Sequence, residues 1–141
     1  MKILREKSEE QRLLEEKERL IKQIAEMSKE SSKLNKSQME QIRLGLEKGL
    51  DISKYADPKF NSMQMEQIRY GLCEDLDVSK YADPNFNASK MAEIKIGLRK
   101  RLDISKYADP KFDWAQMQEI RFGLEDGLDV SKYADPKFDE A

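Results

Sequence analysis

The side chains that could do chemistry are few in this sequence. The chain contains no histidine, so the commonest general base and metal ligand is missing. It contains a single cysteine, Cys73. Cys73 is followed by Glu74 and Asp75, and neighbouring negative charge disfavours the thiolate that a nucleophile needs. We therefore expect no catalytic residue and a protein that is not an enzyme.

The carboxylates could instead bind a metal. Residues 51–57 (DISKYAD) place oxygen-bearing side chains at alternate positions, as a calcium-binding loop does. The segment lacks the central glycine and the terminal bidentate glutamate of such a loop. Asp51 is better explained as the N-cap of a short helix, and Asp57, which precedes a proline, as a turn residue. We expect no metal site and no cofactor.

This aspartate segment occurs four times because most of the chain is a tandem repeat. Residues 39–60 (MEQIRLGLEKGLDISKYADPKF) return at residues 65–86, 91–112 and 117–138, with a period of 26 and no insertion. A fixed period of this size is typical of repeat arrays, in which each unit packs on its neighbours. We predict an all-α fold, a short α-solenoid of four 26-residue helix–short helix repeats preceded by a long N-terminal helix. The repeats span about 35–60, 61–86, 87–112 and 113–138.

Each repeat carries its own helix signals. The N-caps are predicted at Asn35, Asn61, Asn87 and Asp113. The phenylalanine before a cap and the methionine four positions into the helix have the spacing of a hydrophobic staple. Gly49 and Gly127 suit a left-handed residue after the helix, whereas Asp75 and Arg101 at the same position suit it less well. A glycine also recurs in mid-helix, where it costs about 1 kcal/mol relative to alanine. These glycines predict a close approach of the short helix (Gly45, Gly71, Gly97 and Gly123).

The N-terminal part has a different pattern. We divide the chain into an amphipathic helix over residues 1–33 and the repeat array over residues 34–141. Leucine or methionine recurs every seven residues at Leu13, Leu20, Met27 and Leu34. Three interpretations stay open: the helix caps the array, it forms a coiled coil that pairs two chains as a homodimer, or it is a separate partner-binding helix.

The positions that differ among the repeats carry the information about function. One is always apolar and never the same residue, and we call it the apolar row (Leu44, Tyr70, Ile96 and Phe122). It is either a second buried face or an exposed row that docks a partner helix or peptide. Near the helix ends only the third repeat carries a run of three basic residues, Arg99, Lys100 and Arg101. Trp114 either covers an open end or anchors a partner. The predicted partner-binding set is the apolar row with these four residues.

A nucleic-acid partner is the alternative. One basic residue per repeat forms what we call the basic row (Arg43, Arg69, Lys95 and Arg121). The net charge of −2 gives nonspecific binding no help, and nearby acids favour a structural role for these side chains. A self-assembling scaffold is the third hypothesis. We expect no membrane partner, because no apolar stretch is long enough to span a bilayer, and we expect a cytoplasmic protein, since a single cysteine suits a reducing compartment.

The motif MxxIRxGLxxGLD[IV]SKYADPxF, which recurs over residues 35–138, resembles short tandem repeats in proteins encoded on mobile elements and phages of gut Firmicutes. The resemblance brings no catalytic residues with it. It implies a setting in a bacterial cytoplasm, where an accessory protein of a phage or mobile element binds other proteins. An inhibitor of host defence, of the anti-CRISPR kind, would fit that setting.

Overall fold

The computed structural model describes residues 8–28 and 33–131. The helices are α1 (Glu9–Ser28), α2 (Lys36–Glu47), α3 (Ser62–Cys73), α4 (Ala88–Arg99) and α5 (Trp114–Glu125). A single turn of 3₁₀ helix follows each of α2, α3 and α4, at Ile52–Lys54, Val78–Lys80 and Ile104–Lys106. No strand occurs within the described residues. The all-α class predicted from the repeat pattern is therefore confirmed.

The chain separates into two compact units, one up to Asn35 and the other from Lys36 onward. In the first unit α1 covers the middle of the helix predicted for residues 1–33, and residues 1–7 and 29–32 of that prediction lie outside the described part. Leu13 and its neighbour Leu14 are exposed, and Arg19 pairs with Glu16 one turn earlier. The side chains of Leu20 and Met27, which belong to the same sevenfold pattern, are also outside the described part.

The predicted helix starts are confirmed for α3, α4 and α5. The Asn61 side-chain oxygen accepts a hydrogen bond from the Gln64 main-chain N–H at 2.8 Å, and the Gln64 side chain accepts one from the Asn61 N–H at 2.8 Å. This reciprocal capping box satisfies two N–H groups that the first turn leaves unpaired, and Asp113 and Gln116 repeat it. Asn87 caps α4 with one such bond. The cap positions therefore set where each repeat begins.

Each of α2 to α5 ends in the same left-handed turn. In α3 the N–H of Leu76 donates to the Gly71 carbonyl at 2.9 Å and that of Asp75 to the Leu72 carbonyl at 3.1 Å, which is a Schellman motif. The residue that turns left-handed is glycine in two repeats. It is Asp75 (φ 61°) and Arg101 (φ 58°) in the other two. The turn therefore forms even where the residue type is unfavourable.

The short helix after each of α2, α3 and α4 is a single 3₁₀ turn, and it packs on the mid-helix glycine. Asp77 caps the second of these turns, because its carboxylate accepts from the Ser79 main-chain N–H at 3.2 Å and hydroxyl at 2.5 Å. Tyr81, at the end of the turn, is fully buried. A Cβ on Gly71 would collide with the Tyr81 hydroxyl and with the Val78 side chain. The predicted close approach is confirmed here and at Gly45 and Gly97.

Consecutive helices of the second unit pack against each other, α2 on α3, α3 on α4 and α4 on α5. The buried residues recur at the same repeat positions, so that the core is one set of side chains used again in each repeat. Its largest fully buried members are mainly tyrosines, isoleucines and methionines at matching repeat positions (Tyr55, Tyr81, Tyr107, Ile42, Ile68, Ile94, Ile120, Met65, Met91 and Met117, with Ile52 and Phe60). Gln64 adds a polar link. Its side-chain nitrogen donates to the carbonyl of Phe86, the residue before the next helix cap, at 2.8 Å.

Candidate interaction surface

The apolar row lies at the surface of the second unit. Tyr70 and Phe122 are exposed, by 37% and 47% of their surface, and Leu44 and Ile96 are half-buried. These residues point away from the buried isoleucines of their helices because positions two apart on a helix face different sides. The row is therefore accessible to a partner in all four repeats and most accessible in the second and fourth.

Met63 belongs to the same surface and was not singled out by the sequence analysis. It lies seven residues before Tyr70 in α3, hence on the same side of the helix, and 65% of it is exposed. The corresponding residues of the other repeats are Ser37, Ser89 and Ala115. A large apolar residue in one repeat, where the others carry small ones, was the signal that could have found it.

Trp114 is also exposed, by 44% of its surface, at the first position of α5. The same position holds Lys36, Ser62 and Ala88 in the other repeats. Since small residues occur there, the helix does not require a large side chain at this point. Trp114 is available as a contact residue, and the described residues leave nearly half of it uncovered.

The two aromatic rings of the apolar row lie against cations. The Arg69 guanidinium and the Lys95 ammonium are each 4.9 Å from the centre of the Tyr70 ring, and the Arg121 guanidinium is 4.7 Å from that of Phe122. Such contacts contribute about 0.5–1 kcal/mol at exposed sites. They also restrict the rotation of the rings, which lowers the entropy lost when a partner binds.

The basic row is mostly buried. Arg69, Lys95 and Arg121 are at most 8% exposed, and they lie between neighbouring helices. The Nε of Arg69 donates to the Gln41 side-chain oxygen at 2.9 Å, and the Nε of Arg121 donates to the Glu93 carboxylate at 2.5 Å. Only Arg43 is exposed. The three buried side chains are engaged between repeats rather than presented to a phosphate backbone.

Burial also acts on the pKa of two of these cations, Lys95 and Arg121. It lowers the pKa of the Lys95 ammonium, and the nearby charge of Arg99 lowers it further. Burial acts in the same direction on Arg121, but the hydrogen bond and charge of Glu93 outweigh it and leave the pKa of that guanidinium raised. Lys95 is thus less well compensated by neighbouring acids than Arg121.

The basic run of the third repeat is partly engaged as well. Arg99 makes a bidentate contact with Glu74, at 2.5 and 2.8 Å, and Lys100 pairs with Glu125. The hydrogen bonds from these cations lower the pKa of both carboxyl groups. Arg101 is exposed at its left-handed position. Two of the three basic residues therefore contact the neighbouring repeats.

The aspartates that suggested a calcium loop take part in caps and turns. Asp51 accepts from the Ser53 N–H and hydroxyl, and Asp57 accepts from the Lys59 N–H at 2.9 Å. Within the described residues no group of three or more cysteine or acidic side chains could hold a metal ion. Cys73 is free and exposed. None of the helices in the described ranges is long and apolar enough to span a bilayer.

The chain matches no protein-family model, no curated protein and no solved structure. The resemblance of its repeat motif to mobile-element proteins stays a prediction.

Proposed function

We propose that residues 34–141 form a short α-solenoid that serves as a non-catalytic protein-binding module. The observation that carries the proposal is the exposure of large apolar side chains on one side of α3 and α5, at Met63, Tyr70 and Phe122. The half-buried Leu44 and Ile96 occupy the matching places on α2 and α4. Trp114 extends the surface at the start of α5.

The solenoid is supported by the regularity of the contacts between repeats. Each helix packs on the next one in the chain, and polar contacts join residues at matching spacings. Arg69 reaches Gln41 and Arg121 reaches Glu93, both 28 residues back. Repeats joined by the same contacts at each step build an array with a continuous core, as in known solenoids.

An apolar strip along helices suits a partner that presents apolar side chains at helical or extended spacing. Tyr70, Phe122 and Trp114 are of the types that dominate binding energy when a partner buries them. The cations against Tyr70 and Phe122 hold these rings in place beforehand. The partner is thus a protein segment with an exposed apolar face, and a bacterial accessory or anti-defence setting is the context that the repeat motif implies.

Burial of the basic row counts against nucleic acid as the main partner. A phosphate contact needs a solvent-accessible cation, whereas Arg69, Lys95 and Arg121 are buried. Arg43 is exposed but pairs with Glu40 and Glu47 on its own helix. A nucleic-acid interface built on the basic row would therefore have only Arg43 exposed.

The test is capture from bacterial lysate on the immobilised full chain, compared with variants that truncate the exposed apolar side chains. Met63→Ser copies Ser37 and Ser89, and Trp114→Ala copies Ala88, so neither should disturb the fold. We expect a nuclease-resistant protein on the natural chain and at least a tenfold weaker capture on a Met63→Ser/Tyr70→Ala/Phe122→Ala variant.

The matched control replaces the exposed lysines of two 3₁₀ turns, Lys54→Ala and Lys106→Ala, and should capture as the natural chain does. Circular dichroism checks that helix content and melting temperature hold in every variant. If the Met63→Ser/Tyr70→Ala/Phe122→Ala variant captures as much protein as the natural chain, the proposed surface is wrong. Capture that disappears with nuclease would make nucleic acid the partner.

Chain pairing through α1 is a second candidate, because Leu13 and Leu14 are exposed on that helix. Light scattering of the full chain and of a Leu13→Glu/Leu14→Glu variant distinguishes the cases. A dimer that the variant converts to a monomer supports pairing through α1. A monomeric natural chain excludes it at the concentration used.

A further inference from the structure

Neighbouring repeats contact each other through a charged pair near the helix ends, which we call the outer pair. Glu74 of the second repeat binds Arg99 of the third, and Lys100 of the third binds Glu125 of the fourth. Both pairs join residues that are 25 apart. Where the second and third repeats meet, the acid belongs to the earlier repeat and the base to the later one. Where the third and fourth repeats meet, the base belongs to the earlier repeat and the acid to the later one. We call these contact regions between consecutive repeats junctions.

A second contact, the inner pair, joins residues 28 apart in the buried space between helices. Arg69 donates to Gln41 at the first junction and Arg121 to Glu93 at the third. At the second junction the same spacing places Lys95 with Gln67. The side-chain oxygen of Gln67 is buried without a hydrogen-bond partner within the described residues. The inner pair therefore also differs from one junction to the next.

We infer that the outer pair is a recognition code that makes the natural order of the repeats more stable than other orders. The apolar residues that build the core are of the same or similar type in all repeats and cannot distinguish one neighbour from another. The two-residue combination at positions 47–48, 73–74, 99–100 and 125–126 is different in every repeat. It makes ion pairs between the second and third repeats and between the third and fourth. The surface that Arg99 and Lys100 form fits an acidic residue on each side, and the partner it selects is a neighbouring repeat of this chain.

Exchanging the second and third repeats shows what the code excludes. In the order one, three, two, four, the spacing of 25 places Lys48 against Arg99 and Glu74 against Glu125. Both observed ion pairs are then lost and two like-charge contacts replace them. The caps and the apolar core residues keep their types, so the composition of the chain is unchanged. The inner pairs change partners, since the spacing of 28 then places Lys95 with Gln41, Arg69 with Glu93 and Arg121 with Gln67.

The order of the repeats in turn sets the order of the apolar row. If the protein-binding function proposed above holds, a partner segment meets Leu44, Tyr70, Ile96 and Phe122 in one direction only. This consequence depends on the proposed function, whereas the code itself does not. The experiment below measures the code without any partner.

The test is a full-length chain in which residues 61–86 and 87–112 are exchanged, compared with the natural chain by thermal and urea unfolding. We expect the melting temperature of the exchanged chain to fall by roughly 5–10 °C at low salt. The difference should shrink in 1 M NaCl, because salt screens exposed ion pairs and does not repair packing. Arg99→Glu with Glu74→Lys in the exchanged chain restores opposite charges at both junctions and should recover most of the loss.

A cycle in the natural order keeps the inference testable if the exchanged chain does not fold. Arg99→Glu alone sets two acids together and should lower the melting temperature, and adding Glu74→Lys should recover it. The inference is overturned if the exchanged chain is as stable as the natural one. It is also overturned if the loss is independent of salt and the paired substitutions do not reduce it.

Discussion

The hydroxyl of Tyr81 donates a hydrogen bond to the main-chain carbonyl of Gln67 at 2.7 Å, above the mid-helix glycine of α3. Tyr55 and Tyr107 make the same bond, to the carbonyls of Gln41 and Glu93. Burial raises the pKa of Tyr55 to about 12, in keeping with a hydroxyl that acts as a donor. The recurring glycine and the recurring tyrosine are therefore one structural feature.

This relationship predicts that Gly71→Ala destabilises the protein. Helix propensity alone would gain about 1 kcal/mol, but the new Cβ would collide with the Tyr81 hydroxyl and the Val78 side chain. Overpacking of this kind costs about 1–3 kcal/mol, so we expect a net loss measurable by urea unfolding. The same substitution in a Tyr81→Phe background should lose less. A stabilised Gly71→Ala chain would contradict the packing role.

The unpaired oxygen of Gln67 predicts that Lys95→Arg stabilises the protein. Arg69 already reaches Gln41 across the first junction, and an arginine at residue 95 would reach Gln67 in the same way. A buried acceptor left unpaired costs about 1–3 kcal/mol, so we expect a gain of about 1 kcal/mol in the free energy of unfolding. Arg69→Lys is the matched control and should lose a similar amount. If the unfolding midpoint is the same in both variants as in the natural chain, the inner pair contributes nothing to stability.

The left-handed turn predicts that Arg101→Gly is stabilising. Residues other than glycine pay about 1–2 kcal/mol in this conformation, while glycine costs more entropy on folding. We expect a net gain of about 0.5–1 kcal/mol by thermal unfolding. Gly49→Arg is the reverse test, since a Cβ there meets no atom within 4 Å and any loss is conformational. Stability that does not change in either chain would argue against strain at the turn.

The outer pairs predict a loss of stability in acid. Hydrogen bonds from Arg99 and Lys100 lower the pKa of Glu74 and Glu125 in the folded chain. A carboxyl group whose pKa falls on folding contributes stability above its unfolded pKa. That contribution is lost as the pH falls through the folded value. We expect the melting temperature to fall below about pH 4.5, and to fall less steeply in an Arg99→Gln/Lys100→Gln variant. Parallel pH profiles would show that these pairs do not contribute.

Much of the local structure could be predicted from the sequence alone. The caps at Asn61, Asn87 and Asp113, the turn aspartates and the role of the mid-helix glycine depend on residues within a few positions or within one repeat. Local steric and hydrogen-bonding rules therefore suffice to identify them. The 26-residue period then made each such assignment apply to several repeats at once.

The contacts across the junctions were decided by the tertiary structure. The sequence placed Arg69, Lys95 and Arg121 in a basic row because they recur at one repeat position. It placed Arg99 and Lys100 in a docking set because only the third repeat carries that basic run. Their burial and their partners depend on side chains 25 or 28 residues away, which periodicity does not reveal. The exposure of Met63 and Tyr70 was likewise open until the helices were packed, since an apolar residue outside the main core face can be covered by a neighbouring helix or left to solvent.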